Sequence, residues 1–247
     1  MEAYVERAIE LGLKEVGFSD HNPLPHGFGA NVRMKESELE YYVNRVQELR
    51  FVYRGKIDVM LGLEMDFVEG LEDYLAKQIT DYPWDYILGS IHYLDPQCRV
   101  GSWSKNFPGD TEAHYARYLE LIRKLAKSSL CDIISHFDVI KRSGRMPTER
   151  TSDDIARTFQ EIAQAGVCIE INTSGYRHPE LLEPQPYPSL PLVKQALALG
   201  IPLTVNSDAH APEQVGFKFA EMAGFLKLQG CRTLMRFDRR KRTAYDL

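Results

Sequence analysis

Hydrophobic and polar positions follow two different periods along this chain. Six short runs are apolar almost throughout: "EVGFSDH" (15–21), "IDVMLGLEMD" (57–66), "DYILGSIH" (85–92), "CDIISHFD" (131–138), "GVCIEINTS" (166–174) and "IPLTVNSDAH" (201–210). Between them, apolar residues recur every three or four positions, as in "MEAYVERAIELGLKE", "ESELEYYVNRVQELRFVY", "TEAHYARYLELIRKLAK", "TSDDIARTFQEIAQAG" and "LPLVKQALALG". The first pattern predicts strands and the second amphipathic helices. Several helical stretches end in Gly, and Thr-Ser-Asp-Asp opens one of them with capping residues.

Strand alternating with helix predicts a parallel sheet, and apolar strands predict that both its faces are covered. A barrel and a doubly wound sheet both satisfy that pattern. The polar residues separate them, because Asp20 and His21, Glu64, His92, His136, Asn172, Asp208 and His210 each stand at the C-terminal end of a run. A β/α barrel gathers those ends at one mouth, where its active site lies. With no linker, repeat or low-complexity block to divide it, the chain reads as one α/β barrel domain over residues 1–247.

A single strand-end histidine is ordinarily structural. Five strand ends carrying His or Glu, together with an Asp-x-His, point instead to a metal site. Imidazoles mixed with carboxylates suit zinc, iron or manganese and serve calcium or magnesium poorly. There are more donors than one ion needs, and a carboxylate such as Glu64 can bridge two ions.

Other polar residues carry weaker signals. His114, inside "TEAHYARYLELIRKLAK", is expected on the solvated face of a helix. His26 and His178 fall on Pro- and Gly-containing loops after strand ends, where barrels place specificity. Arg33, Arg142, Arg145 and Arg177 are candidates for holding a substrate anion, and Arg177 is preferred because it directly follows a strand-end loop. The terminal "RFDRRKRTAYDL" reads as a basic, solvated tail.

Composition narrows the partner. With 247 residues, 44% hydrophobic and 26% charged, the chain can bury a substantial core. A net charge of -5 without a Lys/Arg stripe argues against nucleic acid and for a small substrate. Cys98, Cys131, Cys168 and Cys231 are scattered, with no Cys-x-x-Cys pair, and read as the reduced thiols of a cytoplasmic protein. The first residues form a charged amphipathic helix rather than a signal peptide, and no uncharged stretch is long enough to span a bilayer.

Taken in order, "SDH" (19–21), "GLEMD" (62–66), "GSIHY" (89–93), "ISHFD" (134–138), "EINTSG" (170–175) and "NSDAH" (206–210) give the chain its family likeness. It resembles the polymerase-and-histidinol-phosphatase (PHP) family of metal-dependent phosphoesterases, and most of all the monofunctional histidinol-phosphatase branch. The branch is suggested by "GSIHYLD", by "NTSGYRHP" followed by "PYPS", and by the chain length.

The resemblance implies a distorted (β/α)7 barrel holding up to three metal ions. It makes Glu64 a bridging ligand, gives His92 and His136 to the second ion and Asp208 to the first, and gives His21 and His210 to the third. Asp20 becomes a partner orienting a ligand imidazole. The family's opening His-x-His motif is absent upstream of "MEAYVERAIELGL", so the barrel is expected to lack its first strand and show an open edge. The second ion site should then be largely intact and the first and third weakened.

The implied reaction is hydrolysis of L-histidinol phosphate to L-histidinol and phosphate. Glu64, Asp208 and His210 would lead the catalytic set, with a phosphate clamp from Arg177, Arg142 and His178. A PHP phosphoesterase acting on another phosphate, or a barrel with an impaired metal site and no turnover, are the rival readings. An amidohydrolase-type barrel ranks behind both, since no residue stands out as a carboxylated lysine.

Overall fold

A computed structural model describes residues 1–29, 31–178 and 184–247. The six apolar runs become six parallel strands, β1 (Glu15–Phe18), β2 (Asp58–Asp66), β3 (Tyr86–Ser90), β4 (Ile133–Ile134), β5 (Cys168–Asn172) and β6 (Leu203–Asn206), paired in chain order. The helices are α1 (Glu2–Glu10), α2 (Glu36–Val52), α3 (Glu72–Asp81), α4 (Thr111–Lys127), α5 (Glu149–Ala165), α6 (Leu190–Ala198) and α7 (Phe219–Leu228). Strands paired in sequential order make a barrel wall, whereas a doubly wound sheet reverses its order in the middle. Among the described residues nothing pairs with the outer edges of β1 and β6, and the parallel sheet is an open, curled barrel wall.

Alternation along each strand divides two environments. Leu61, Leu63, Met65, Ile87, Ile134, Ile169 and Ile171 face outward and join the helices in the main core. Gly62, Glu64 and Asp66, then Tyr86, Leu88 and Ser90, then Cys168, Glu170 and Asn172 face inward. The Tyr86 ring crosses the interior, and its hydroxyl donates to the Phe18 carbonyl at 3.2 Å. A Cβ on Gly62 would lie 2.2 Å from that ring, and one on Gly17 would lie 2.3 Å from its hydroxyl. Both positions are glycine because Tyr86 takes the space.

The C-terminal run is ordered rather than a loose tail, although Lys241–Asp246 stay solvent-exposed. It forms an antiparallel hairpin, β7 (Thr233–Asp238) and β8 (Lys241–Asp246). Leu234 and Phe237 are buried, and Phe237 and Met235 pack on Leu88, Ile133 and Cys168 inside the barrel. Arg239 and Arg240 make the turn at φ of 49° and 62°, a region that side chains disfavour. Asp85 holds the turn there: its Oδ1 accepts from Arg239 N at 3.3 Å and its carbonyl from Arg240 N at 2.8 Å. Arg240 Nε also donates to Asp132 at 3.0 Å. The basic residues clamp the hairpin onto the barrel floor.

Other expectations shift in detail. His114 is fully buried rather than solvated, and its ring stacks on Phe107 with centroids 4.3 Å apart. Helix α5 begins before Thr-Ser-Asp-Asp, with Thr148 capping the Thr151 amide at 3.3 Å. Only Ile133 and Ile134 of the fourth run pair as strand, and the chain turns toward the mouth beyond them. All four thiols are free, and no described helix is long and apolar enough to cross a membrane.

Candidate metal centre

Strand register assembles the mouth. His21 lies beyond β1 and bridges to Glu64 of β2, where Glu64 N donates to Asp20 O at 3.0 Å and Asn22 N to Glu64 O at 2.9 Å. His92 and His136 follow β3 and β4 two residues past their ends. Glu64 Oε1 lies 3.0 Å from His136 Nε2 and 3.5 Å from His92 Nε2, and the two Nε2 atoms are 3.2 Å apart. Ser90 Oγ donates to the same carboxylate oxygen at 2.7 Å.

These donors fit a metal ion. Two groups of three, Glu64–His92–His136 and His21–Asp66–His92, bring their ligand atoms within 4.8 Å of one another. Two imidazole nitrogens on one tetrahedral zinc would stand about 3.3 Å apart, close to the separation observed. The His21 Nδ1 atom is buried without a hydrogen-bond partner, 3.8 Å from both Glu64 Oε2 and Asp66 Oδ2.

Electrostatics agree with the donor set. Burial alone would raise the Glu64 pKa, but His21, the His136 hydrogen bond and His92 hold it well below the usual carboxylate range. Burial would lower the His136 pKa, yet the Glu64 hydrogen bond and charge, with Glu170 and Asp208, carry it to about 9. Asp66 likewise stays ionised against burial, at about 2, through His92, Arg33 and His21. A pocket that keeps buried acids charged and favours positive charge on an imidazole is suited to a cation, which displaces a proton when it binds.

The remaining predicted residues are placed more loosely. Asp208, at φ 47°, accepts from Ser174 Oγ at 3.1 Å and from Asn172 Nδ2 at 3.2 Å. The largely exposed His210 places Nδ1 3.5 Å from Asp208 Oδ1. Neither joins a group of three among the described residues, but both line one cavity of about 890 Å³ with Asp20, His21, Glu64, His136 and Glu170. Burial raises the Asp20 pKa ahead of any neighbour's influence.

The loop residues divide similarly. Arg177 donates from Nη1 to the Ser207 carbonyl at 2.9 Å and from Nη2 to the Asp208 carbonyl at 2.7 Å, bracing the Asp208 loop. Arg142 lies over the Trp103 ring, which itself packs edgewise on His92. Arg145 caps the carbonyls of Phe107, Gly109 and Asp110. His26 turns at φ 59° beside Phe28, and the His178 ring lies 6.0 Å from Tyr187. Residues 179–183 of the His178 loop lie outside the described residues.

Asp66 and Glu170 lie outside the residues expected from the sequence, and Arg33, expected as a candidate for holding a substrate anion, is buried against Asp66 instead. Asp66 stands two residues after Glu64 and Glu170 two before Asn172, so period-two alternation puts each on the inner face and could have found both. Glu170 accepts from His136 N at 2.8 Å, Asn206 Nδ2 at 2.8 Å and Asn172 Nδ2 at 3.1 Å, tying three strand ends together. Nothing in the spacing of Arg33 marks Asp66, rather than a substrate anion, as its partner.

Residues 1–174 match the PHP domain family, and the chain belongs to that family. It is 34% identical over 239 residues to a protein of Deinococcus radiodurans named probable histidinol-phosphatase, spanning 94% of this chain and 88% of the relative. It is 26% identical over 244 residues to the histidinol-phosphatase of Bacillus subtilis, spanning 89% and 90%. Among solved structures it superposes on the histidinol phosphate phosphatase of Lactococcus lactis, a complex with zinc, L-histidinol and phosphate, at a TM-score of 0.82. That match covers 98% of this chain and 92% of the other at 18% identity, and it bears on the fold.

Proposed function

We propose that the chain is a metal-dependent phosphate monoester hydrolase that converts L-histidinol phosphate and water to L-histidinol and phosphate. The observation that carries this reading is the convergence of His92 Nε2 and His136 Nε2 on Glu64 Oε1, beside a cavity of about 890 Å³. Relatives named histidinol-phosphatase along most of their length support the substrate. The Lactococcus protein was solved with zinc, L-histidinol and phosphate.

Glu64, His92 and His136 would hold an ion, with Asp208, His21 and His210 as donors to further ions around the cavity. A bound divalent ion supplies positive charge to the phosphate oxygens and acidifies the attacking water. The chain's own groups do the rest. Glu64 stays ionised at the centre, while Arg142, Arg177, His178 and His26 approach the phosphate from the loops. Asp208 and His210, adjacent at the end of β6, manage the proton on the leaving oxygen.

Phosphate release from a panel of monoesters tests the proposal, using the full chain stripped of metal and resupplied with manganese, iron or zinc. Metal-dependent release with L-histidinol phosphate as the preferred ester is expected. Preference for another ester would replace the substrate and keep the reaction. No release from any ester with metal present would remove both.

A further inference from the structure

Arg33 lies in the loop between β1 and α2, yet only 2% of its side chain is exposed. Nη1 stands 2.5 Å from Asp66 Oδ2 and donates to the Asn22 carbonyl at 3.1 Å. Nη2 donates to the Tyr93 hydroxyl at 3.4 Å, and the guanidinium carbon sits over the Tyr93 ring, 5.6 Å from its centroid. Gly29 allows this approach: its φ is +62°, and a Cβ there would lie 2.6 Å from both Arg33 Nε and the Tyr93 hydroxyl.

Asp66 is fully buried, and its other oxygen, Oδ1, contacts His92 Nδ1. Its backbone N–H donates to Asn22 Oδ1 at 2.9 Å, so the loop holding Arg33 also holds Asp66. Oδ2 has a competing neighbour in His21 Nδ1, 3.8 Å away. A carboxylate released by Arg33 could turn toward that imidazole and leave His92.

We propose that Arg33 is a positioning residue for the metal centre: by pairing with Oδ2 of Asp66 it commits Oδ1 to His92, so that His92 keeps its proton on Nδ1 and presents Nε2 to Glu64 and His136. A histidine ligand whose far nitrogen donates to a fixed carboxylate is both oriented and more basic. The inference rests on the reading of Glu64, His92 and His136 as metal ligands and is independent of the substrate.

The test uses the full chain, stripped of metal and titrated with zinc against a chromophoric chelator. Arg33→Met, Arg33→Lys and Arg45→Met are compared with the natural sequence, Arg45 being a surface residue paired with Glu2 and Glu48. Arg33→Met should weaken zinc binding roughly 10- to 100-fold, Arg33→Lys should recover most of that loss, and Arg45→Met should change nothing. Nitrogen NMR of the His92 ring in the metal-free chain gives a second readout. The Nδ1-protonated tautomer should dominate naturally and decline in Arg33→Met.

Unchanged zinc affinity with an unchanged tautomer in Arg33→Met overturns the proposal. If Arg33→Met fails to fold, Asp66→Asn takes its place, and retention of both tautomer and affinity there overturns it equally. A natural chain that binds zinc but hydrolyses no phosphate ester removes the proposed function and leaves this inference standing. A natural chain that takes up no zinc removes the metal reading, and the tautomer then decides whether Arg33 positions His92.

Discussion

His136 Nε2 meets Glu64 Oε1 at 3.0 Å although 72 positions separate the two residues in the chain. Parallel register makes the contact: β2 pairs with β3 and β3 with β4, and the three strand ends lie within one residue of the same height. Glu64→Gln keeps the shape of the side chain and removes the charge that both histidines face. Its zinc affinity, measured against a competing chelator, should fall by more than the roughly 10- to 100-fold typical of losing an outer partner.

Tyr86 and Gly62 define a second relationship, one of volume. Gly62→Ala forces a methyl group into the Tyr86 ring and should destabilise the fold by about 1–3 kcal/mol in urea denaturation. Combining it with Tyr86→Ala should cost clearly less than the sum of the two single changes, because the smaller side chain vacates the space. Strict additivity would mean that Tyr86 does not fill the barrel interior.

His114 makes stability depend on pH. Burial first, and then the charge of Arg145, lower its pKa to about 4, against about 6.5 in an unfolded chain. Between those values the unfolded chain binds the extra proton, so stability falls as pH drops through the window, by about 2 kcal/mol from pH 7.5 to 5. His114→Phe retains the stack on Phe107 and should remove that dependence. Comparing the two proteins cancels other groups such as Glu15, whose pKa burial raises to about 6 and which acts in the opposite direction.

Asp85 ties the C-terminal hairpin to the barrel. Its carboxylate accepts from Leu61 N at 2.7 Å and from Arg239 N, and it pairs with Arg50. Asp85→Ala leaves those donors unsatisfied and should cost about 3 kcal/mol. Amide exchange should rise first in β7 and β8 if the hairpin depends on this clamp.

Much of this architecture was legible in the chain itself. Apolar runs marked all six parallel strands, and the polar residue closing each run marked the mouth, because side chains alternate and the strands share a direction. Asp66 and Glu170 were legible in the same way and were passed over. The hairpin was hidden because two arginines turn at positive φ where Asn-Gly would have announced the turn. His114 was hidden because the ring that covers it, Phe107, arrives from a loop. Arg33 reaches Asp66 only through the fold of its loop around Gly29, which no periodicity encodes.

The most direct measurement is metal content per chain by elemental mass spectrometry, after exposure of the natural protein and Glu64→Gln to manganese, iron and zinc followed by dialysis. At least one retained ion in the natural chain, lost in Glu64→Gln, is the expected result. A natural chain that retains none, or a Glu64→Gln chain that retains as many, would contradict the assignment of Glu64, His92 and His136 as a metal centre.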